Sequence, residues 1–289
     1  MEHIPFQFFA WGASITFAIE SLLLKYLSKH KVNNPWLLNI TCLFFTILLN
    51  SSVSLYMGAG WPSAWGNILL AALFFALGMT LFNLVAYQLD VSVFIPLENF
   101  KTIFSVILGA MFLGEVLTGN QMYLIGAMVV AGIFVTFDEN FSIKSFFSKG
   151  VILALVEMLA ISLMALFLNK AAVDNNFWTL NLWYNVIAAG IMLFTWPLFS
   201  KDIKTLDKSH IGIIFLFALA GATANLLSAK AFTLNIGISQ AIIAIPLSVI
   251  IAMASSLFFP KLFEHHTWKV YILRIASAAT LIFAGIKLS

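Results

Sequence analysis

Phe94-Ile95-Pro96-Leu97-Glu98-Asn99-Phe100-Lys101 sets a proline, a carboxylate and an ammonium inside an apolar run from Val91 to Leu113, long enough to cross a bilayer. Hydrocarbon offers no partner to a charge or to a freed backbone group. Each of these residues therefore needs compensation from protein or from a water-filled space. A second Ile-Pro-Leu stands at Ile245-Pro246-Leu247, inside another apolar run. Two such interruptions in corresponding places predict a duplicated unit.

Composition sets the solvent. The chain is 62% hydrophobic and only 9% charged, against roughly 45–50% and about 25% in soluble domains. The apolar residues fall into runs of the length that crosses a membrane, roughly 20 residues at 1.5 Å each. The net charge of +3 comes from lysines and arginines placed mostly at run ends, so no nucleic-acid surface is expected. Cys42 is the single cysteine, which leaves no internal disulfide and no cysteine-cluster metal site. The start of the chain has no basic leader and enters a run too long for a cleaved signal, so a retained first helix is expected.

Ten spans separate along the chain: Pro5–Ser28, Asn34–Met57, Gly66–Leu89, Val91–Leu113, Gln121–Phe137, Lys149–Lys170, Phe177–Ser200, His210–Thr233, Ile238–Phe259 and Thr267–Lys287. Asp138 to Lys144 is polar and marks a boundary between two sets of five. Residues 1–137 and 149–289 then form two repeats joined by 138–148. Asn33-Asn34-Pro35-Trp36-Leu37-Leu38-Asn39 lies over Asn175-Asn176-Phe177-Trp178-Thr179-Leu180-Asn181. Ala86-Tyr87-Gln88-Leu89-Asp90 lies over Ala231-Phe232-Thr233-Leu234-Asn235, and the two Ile-Pro-Leu stretches follow in the same order. An odd number of spans per repeat inverts the halves. The fold class expected is an all-α polytopic membrane protein of ten transmembrane helices in two inverted five-helix repeats, an architecture that holds a solute near the midplane.

Gly114-Glu115-Val116-Leu117-Thr118-Gly119-Asn120-Gln121, continuing through Gly126-Ala127-Met128-Val129-Val130-Ala131-Gly132, resembles the EamA-type repeat of the drug/metabolite transporter superfamily. Trp11-Gly12 followed by Lys25 looks like that family's first helix. The resemblance implies a ten-helix carrier whose first, third, fourth, sixth, eighth and ninth helices surround a central cavity. Phe263-Glu264 replaces Gly-Glu in the second repeat, and Ala284-Gly285 comes late there, which departs from the pattern. Lysines crowd the odd-numbered connections, leaving Lys170, Lys230 and Lys287 on the other side. The positive-inside rule therefore puts both termini outside, whereas the resemblance implies cytoplasmic termini.

The candidate site residues are Glu98, Lys101, Asn99, Phe94, Trp11, Glu20 and Glu157, with Pro96 and Pro246 as helix breaks. Glu98 and Lys101 at i, i+3 share a helix face. They read either as an internal pair that compensates itself or as a cavity-lining pair exchanged for a solute's carboxylate and amine. Glu20 and Glu157 are deep carboxylates, the residue type that couples a proton in a low-dielectric site; a hydrogen-bonded structural glutamate is the alternative for each. Trp11, Phe94 and Phe100 suit a wall for an apolar or cationic solute, with ordinary packing as the alternative. Asn99, Gln88, Asn83, Asn225 and Gln240 read as hydrogen-bonding residues between helices. Lys25, Lys230 and Arg274 lie nearer span ends and are expected to snorkel.

No His-Glu-x-x-His, Gly-x-Ser-x-Gly or Gly-x-x-x-x-Gly-Lys pattern occurs, so no enzyme, cofactor or metal is expected. The function expected is a secondary active transporter of a small polar or zwitterionic organic solute, an amino acid or related metabolite, working by alternating access. An organic-cation, quaternary-amine or drug carrier is the second reading and a non-transporting membrane scaffold the third. The partners expected are a small-molecule solute, the lipid bilayer and a coupling proton, but no nucleic acid, in a monomer or homodimer. The setting expected is a bacterial inner (plasma) membrane, crossed many times.

Overall fold

The computed structural model describes residues 5–89, 93–94, 97–98, 100–114, 116, 118–135, 147–205, 208–243, 247 and 268–288. Pro96, Asn99, Pro246 and most of the 138–148 connection lie outside the described residues. Ten α-helices are described: α1 Phe6–His30, α2 Pro35–Tyr56, α3 Gly66–Ala86, α4 Phe100–Leu113, α5 Gly119–Val135, α6 Lys149–Ala171, α7 Phe177–Met192, α8 Lys208–Leu234, α9 Gly237–Ile243 and α10 Trp268–Leu288. There is no strand among the described residues. Among the described residues six helical stretches are long and apolar enough to cross a membrane, and Phe100–Leu113 and Gly119–Phe134 are shorter apolar helices. The chain is an integral, multi-pass membrane protein.

Local chemistry accounts for the helix starts. Asn34 accepts from the backbone N–H groups of Trp36 at 2.9 Å and Leu37 at 3.3 Å, with Pro35 in the first helical position. Asn176 accepts from Thr179 N at 2.8 Å at the start of α7. The aligned Asn-Asn-x-Trp segments thus perform the same N-capping, which supplies an acceptor to donors the helix itself leaves unpaired. The fourth expected span, Val91–Leu113, falls partly outside the described residues: Val93, Phe94 and Leu97 are helical, Glu98 stands in a turn, and helix α4 covers Phe100–Leu113. The seventh expected span, Phe177–Ser200, is matched by an apolar helical stretch over Phe177–Leu198, within which α-geometry ends at Met192 and 3-10 turns follow over Leu193–Leu198 and then Ser200–Thr205. Pro197 lies in the first of these, and a proline has no N–H to continue an α-helical ladder.

The broadest helix contacts join α3 to α6 and α1 to α8. Further pairings are α3 with α7 and α2 with α8, then α4 with α6 and α1 with α9. α2 packs on α7, α5 on α10, and α4 on α9. Two large apolar clusters carry the bundle. One gathers Leu24, Leu27, Phe82, Val85, Leu97, Val151 and Phe217; the other gathers Phe75, Met164, Leu168, Tyr184, Ala229 and Phe232. Glycine permits the closest approaches. A Cβ at Gly78 on α3 would run into Ile161 of α6, and one at Gly221 on α8 would run into Glu20 of α1.

The α2–α3 connection is held on α7. Gly60 N donates to Thr179 Oγ1 at 2.9 Å, Ser63 N to Asn175 Oδ1 at 2.8 Å, and Trp183 Nε1 to Gly60 O at 2.8 Å. Trp61 stacks on Trp183 with ring centroids 4.8 Å apart, and Trp65 meets it edge-on at 5.1 Å. Trp61 is largely exposed, as suits an amphipathic ring at a membrane border. At the other end of α2, Asn34 Nδ2 donates to Leu198 O at 3.0 Å and Asp202 Oδ2 at 2.6 Å.

Candidate functional site

A cavity of ≈ 80 Å³ lies between the two large clusters, with walls from α1, α3, α4, α6, α8 and α9 and one residue of α2, Thr46. That volume holds several water molecules or a small head group. Its rings are Phe17, Phe75, Phe82 and Phe232, and Met79 and Met164 fill between them. The polar part is concentrated on one ammonium and three carboxylates: Lys101, Glu98, Glu157 and Glu20. In a dry interior such charges persist only if each is paired or solvated.

Lys101 stands in the first turn of α4 and is 8% exposed. Its Nζ pairs with Glu98 Oε2, three residues back, and lies 3.0 Å from Oε1 of Glu157 on α6. The second approach is an ion pair without hydrogen-bond alignment, since neither Glu157 oxygen has a hydrogen-bond partner among the described residues. Phe82 presents its ring 5.9 Å from Nζ, within cation–π range. Ser162 fixes α6 against α4 by sharing its hydroxyl proton between Lys101 O at 3.1 Å and Met158 O at 2.9 Å. Glu157 is 1% exposed and Glu98 is the wetter partner, its side chain 18% exposed.

Glu20 reaches the cavity from α1 and is 1% exposed. Its carboxyl group lies directly against the backbone of Gly221, where a built Cβ would come within 3.0 Å of the carboxyl carbon. Glycine at 221 is what leaves room for it. Glu20 Oε2 has no hydrogen-bond partner among the described residues. Beyond Gly221 a buried polar chain leaves the cavity wall. Tyr184 OH donates to Asn225 Oδ1 at 2.9 Å, Asn225 Nδ2 to Asn185 Oδ1 at 3.0 Å, Asn185 Nδ2 to Asn181 O at 2.8 Å, and Asn181 Nδ2 to Ser54 Oγ at 2.8 Å. It ties α8 to α7 and α2 through residues that are all buried.

Residues 5–137 match the model of the EamA-like transporter family. The first half of the chain is thus similar to the EamA-like transporter family. That family lies within the drug/metabolite transporter superfamily, whose members are membrane transporters. One solved crystal structure covers 96% of this chain and 98% of its own at a TM-score of 0.62 and 11% identity. At that identity the likeness speaks for the fold alone, and it does so over the full length. No curated protein matches the chain.

The expected site residues part ways. Glu20, Glu98, Lys101 and Glu157 converge on the cavity. Phe94 is buried in the cluster behind it, tilted against Phe82 with ring centroids 5.3 Å apart. Trp11 packs on the small cluster of Phe9, Ala10, Ala231 and Ile242 and does not line the cavity. Asn225 and Gln240, read as interhelical hydrogen-bonding residues, do line it. Lys230 lies near the end of α8 with its ammonium 5.0 Å from the Phe177 ring, away from the cavity. Phe82, Phe17 and Gly221 went unread in the sequence. Gly221 had one available signal, its place four residues before Asn225 on the same helix face.

Proposed function

We propose that the chain is a secondary carrier of the drug/metabolite type, built as two inverted five-helix repeats, that moves a small organic solute bearing a cationic centre by alternating access. The duplication is supported by the way helix pairings come in exchanged couples. Replacing each of α1–α5 by its counterpart in α6–α10 turns α1–α8 into α6–α3, and α2–α8 into α7–α3. The Gly78–Ile161 and Gly221–Glu20 approaches are such a couple. Units of five helices related in this way run in opposite senses and meet at the midplane, where the cavity lies.

The observation that carries the solute reading is the imbalance of three carboxylates against one ammonium among the described lining residues. Lys101 is already engaged by Glu98 and Glu157, while Glu20 is not. A cationic solute restores balance when it enters, and a proton on Glu20 restores it when the solute has left. Binding one cation in place of the other is the minimal logic of proton-coupled exchange. This favours the cation-carrier reading over a neutral polar solute.

A zwitterion such as an amino acid is supported as a second reading by Glu98. It is the more exposed partner of Lys101, so it can release the ammonium to a solute carboxylate.

Purified protein in proteoliposomes tests both. Uptake of amine and amino-acid panels should follow an imposed pH gradient, and Glu20→Gln should abolish that dependence. Flux that is unchanged in both Glu20→Gln and Lys101→Met would refute the site. A zwitterion carrier would lose its preference for the carboxylated solute in Lys101→Met, and a pure cation carrier would not.

A further inference from the structure

Among the described residues the unused hydrogen-bonding capacity of the cavity is mostly acceptor. Glu20 Oε2, Glu98 Oε1 and both oxygens of Glu157 have no hydrogen-bond partner there, and Gln240 Oε1 has none either. Glu20, Glu157 and Gln240 are each 1% exposed. Several donors on the same walls are engaged. Lys101 directs its ammonium at Glu98 and Glu157. Ser21 donates to Phe17 O at 2.8 Å and Ser228 to Asn225 O at 3.0 Å, each within its own helix. Asn225 donates to Asn185 at 3.0 Å. Ser14 Oγ is unpartnered and can accept or donate.

We infer that the solute's cationic centre carries N–H bonds, as a primary ammonium or a guanidinium does, and is not a quaternary ammonium. This rests on the carrier reading above and narrows it. The four phenylalanine rings alone would suit either kind of cation, since ring faces attract positive charge whether or not it bears hydrogen. The carboxylates decide between them. An ionised carboxylate only accepts, and an acceptor buried without a donor is more costly than a hydrogen bond is favourable. A trimethylammonium group in this space would cover Glu20 and leave its oxygens unpaired. A primary ammonium brings three donors and a guanidinium five, in a fork that fits a carboxylate. Gly221 adds shape to this preference, because the Glu20 carboxyl is set back against bare backbone and is reached by an N–H vector more readily than by a methyl-sheathed centre.

The test uses the full chain purified in detergent and three probes with one alkyl tail: n-butylammonium, n-butylguanidinium and n-butyltrimethylammonium. Binding is read by isothermal titration and by ligand-induced shifts of thermal unfolding. The first two should bind about tenfold or more tightly than the third, a gap set by unpaired charged acceptors. Glu20→Gln should shrink the gap to about threefold or less, since an amide supplies its own donors. Trimethyl binding equal to or tighter than primary-amine binding overturns the inference and leaves the carrier reading standing. Absence of binding by all three, with no amine-dependent flux in proteoliposomes, overturns both. Glu20→Gln could fail to fold, so wild-type protein supplies the primary comparison.

Discussion

Lys101→Met is the sharpest perturbation the cavity offers. The ammonium is the one cation among the described lining residues, and its removal leaves Glu98 and Glu157 facing each other uncompensated. Breaking a buried ion pair by deleting one partner costs about 3–5 kcal/mol. Glu157 is 1% exposed and has no hydrogen bond to fall back on among the described residues, which places it toward the upper end. At about 2–4 °C per kcal/mol for a chain of this size class, the loss in midpoint is on the order of 10 °C. The assay is thermal unfolding in detergent at pH 8 and pH 5. Protonation removes the uncompensated charge, so the deficit relative to wild type should shrink as pH falls. Glu157→Gln added to Lys101→Met should recover much of the loss at pH 8. If Lys101→Met unfolds with wild type at pH 8, or if its deficit ignores both pH and Glu157→Gln, the assignment of Lys101 as the counter-charge is wrong.

Other outcomes can be checked separately. Gly221→Ala should displace Glu20 and weaken primary-amine binding about tenfold or more, whereas Gly190→Ala, which meets open space, should leave binding unchanged; titration of n-butylammonium distinguishes them. Tyr184→Phe strips the donor from Asn225 Oδ1 and should cost about 1–3 kcal/mol, read as a lower unfolding midpoint. Asn176→Ala removes the cap of α7 and should cost about 1 kcal/mol, with Asn176→Ser close to wild type in the same melt.

The parts of this molecule that were legible in the sequence are those that depend on near neighbours. Asn34 and Asn176 announce helix starts because a cap acts over three residues. Glu98 and Lys101 announce a pair because they are three apart. Glu157 comes to the same ammonium from α6, and nothing local to residue 157 says so; only the packing of α4 on α6 does. The seating of Glu20 on Gly221 is equally remote, since a glycine within an apolar helix carries no mark of what approaches it. None of the residues expected as an aromatic wall, Trp11, Phe94 and Phe100, lines the cavity: the rings there are Phe17, Phe75, Phe82 and Phe232, and Trp11 is spent on packing near Phe9 and Ile242. The change from α-helix to 3-10 turn after Met192 was not legible, because hydropathy persists through Leu193-Phe194-Thr195-Trp196 while the backbone has already tightened ahead of Pro197.

The ties between α2 and α7 have a mechanical consequence. Asn34 fastens the start of α2 to Leu198 and Asp202, beyond the end of α7. Asn181 fastens the two through Ser54. Thr179, Asn175 and Trp183 fasten the far turn. Two rods riveted at both ends and between cannot slide or splay without breaking several bonds together. The pair is therefore bound to move as one unit, and in the carrier proposed above a stroke that uncovers the charges on α1, α4 and α6 would be a movement of other helices against it.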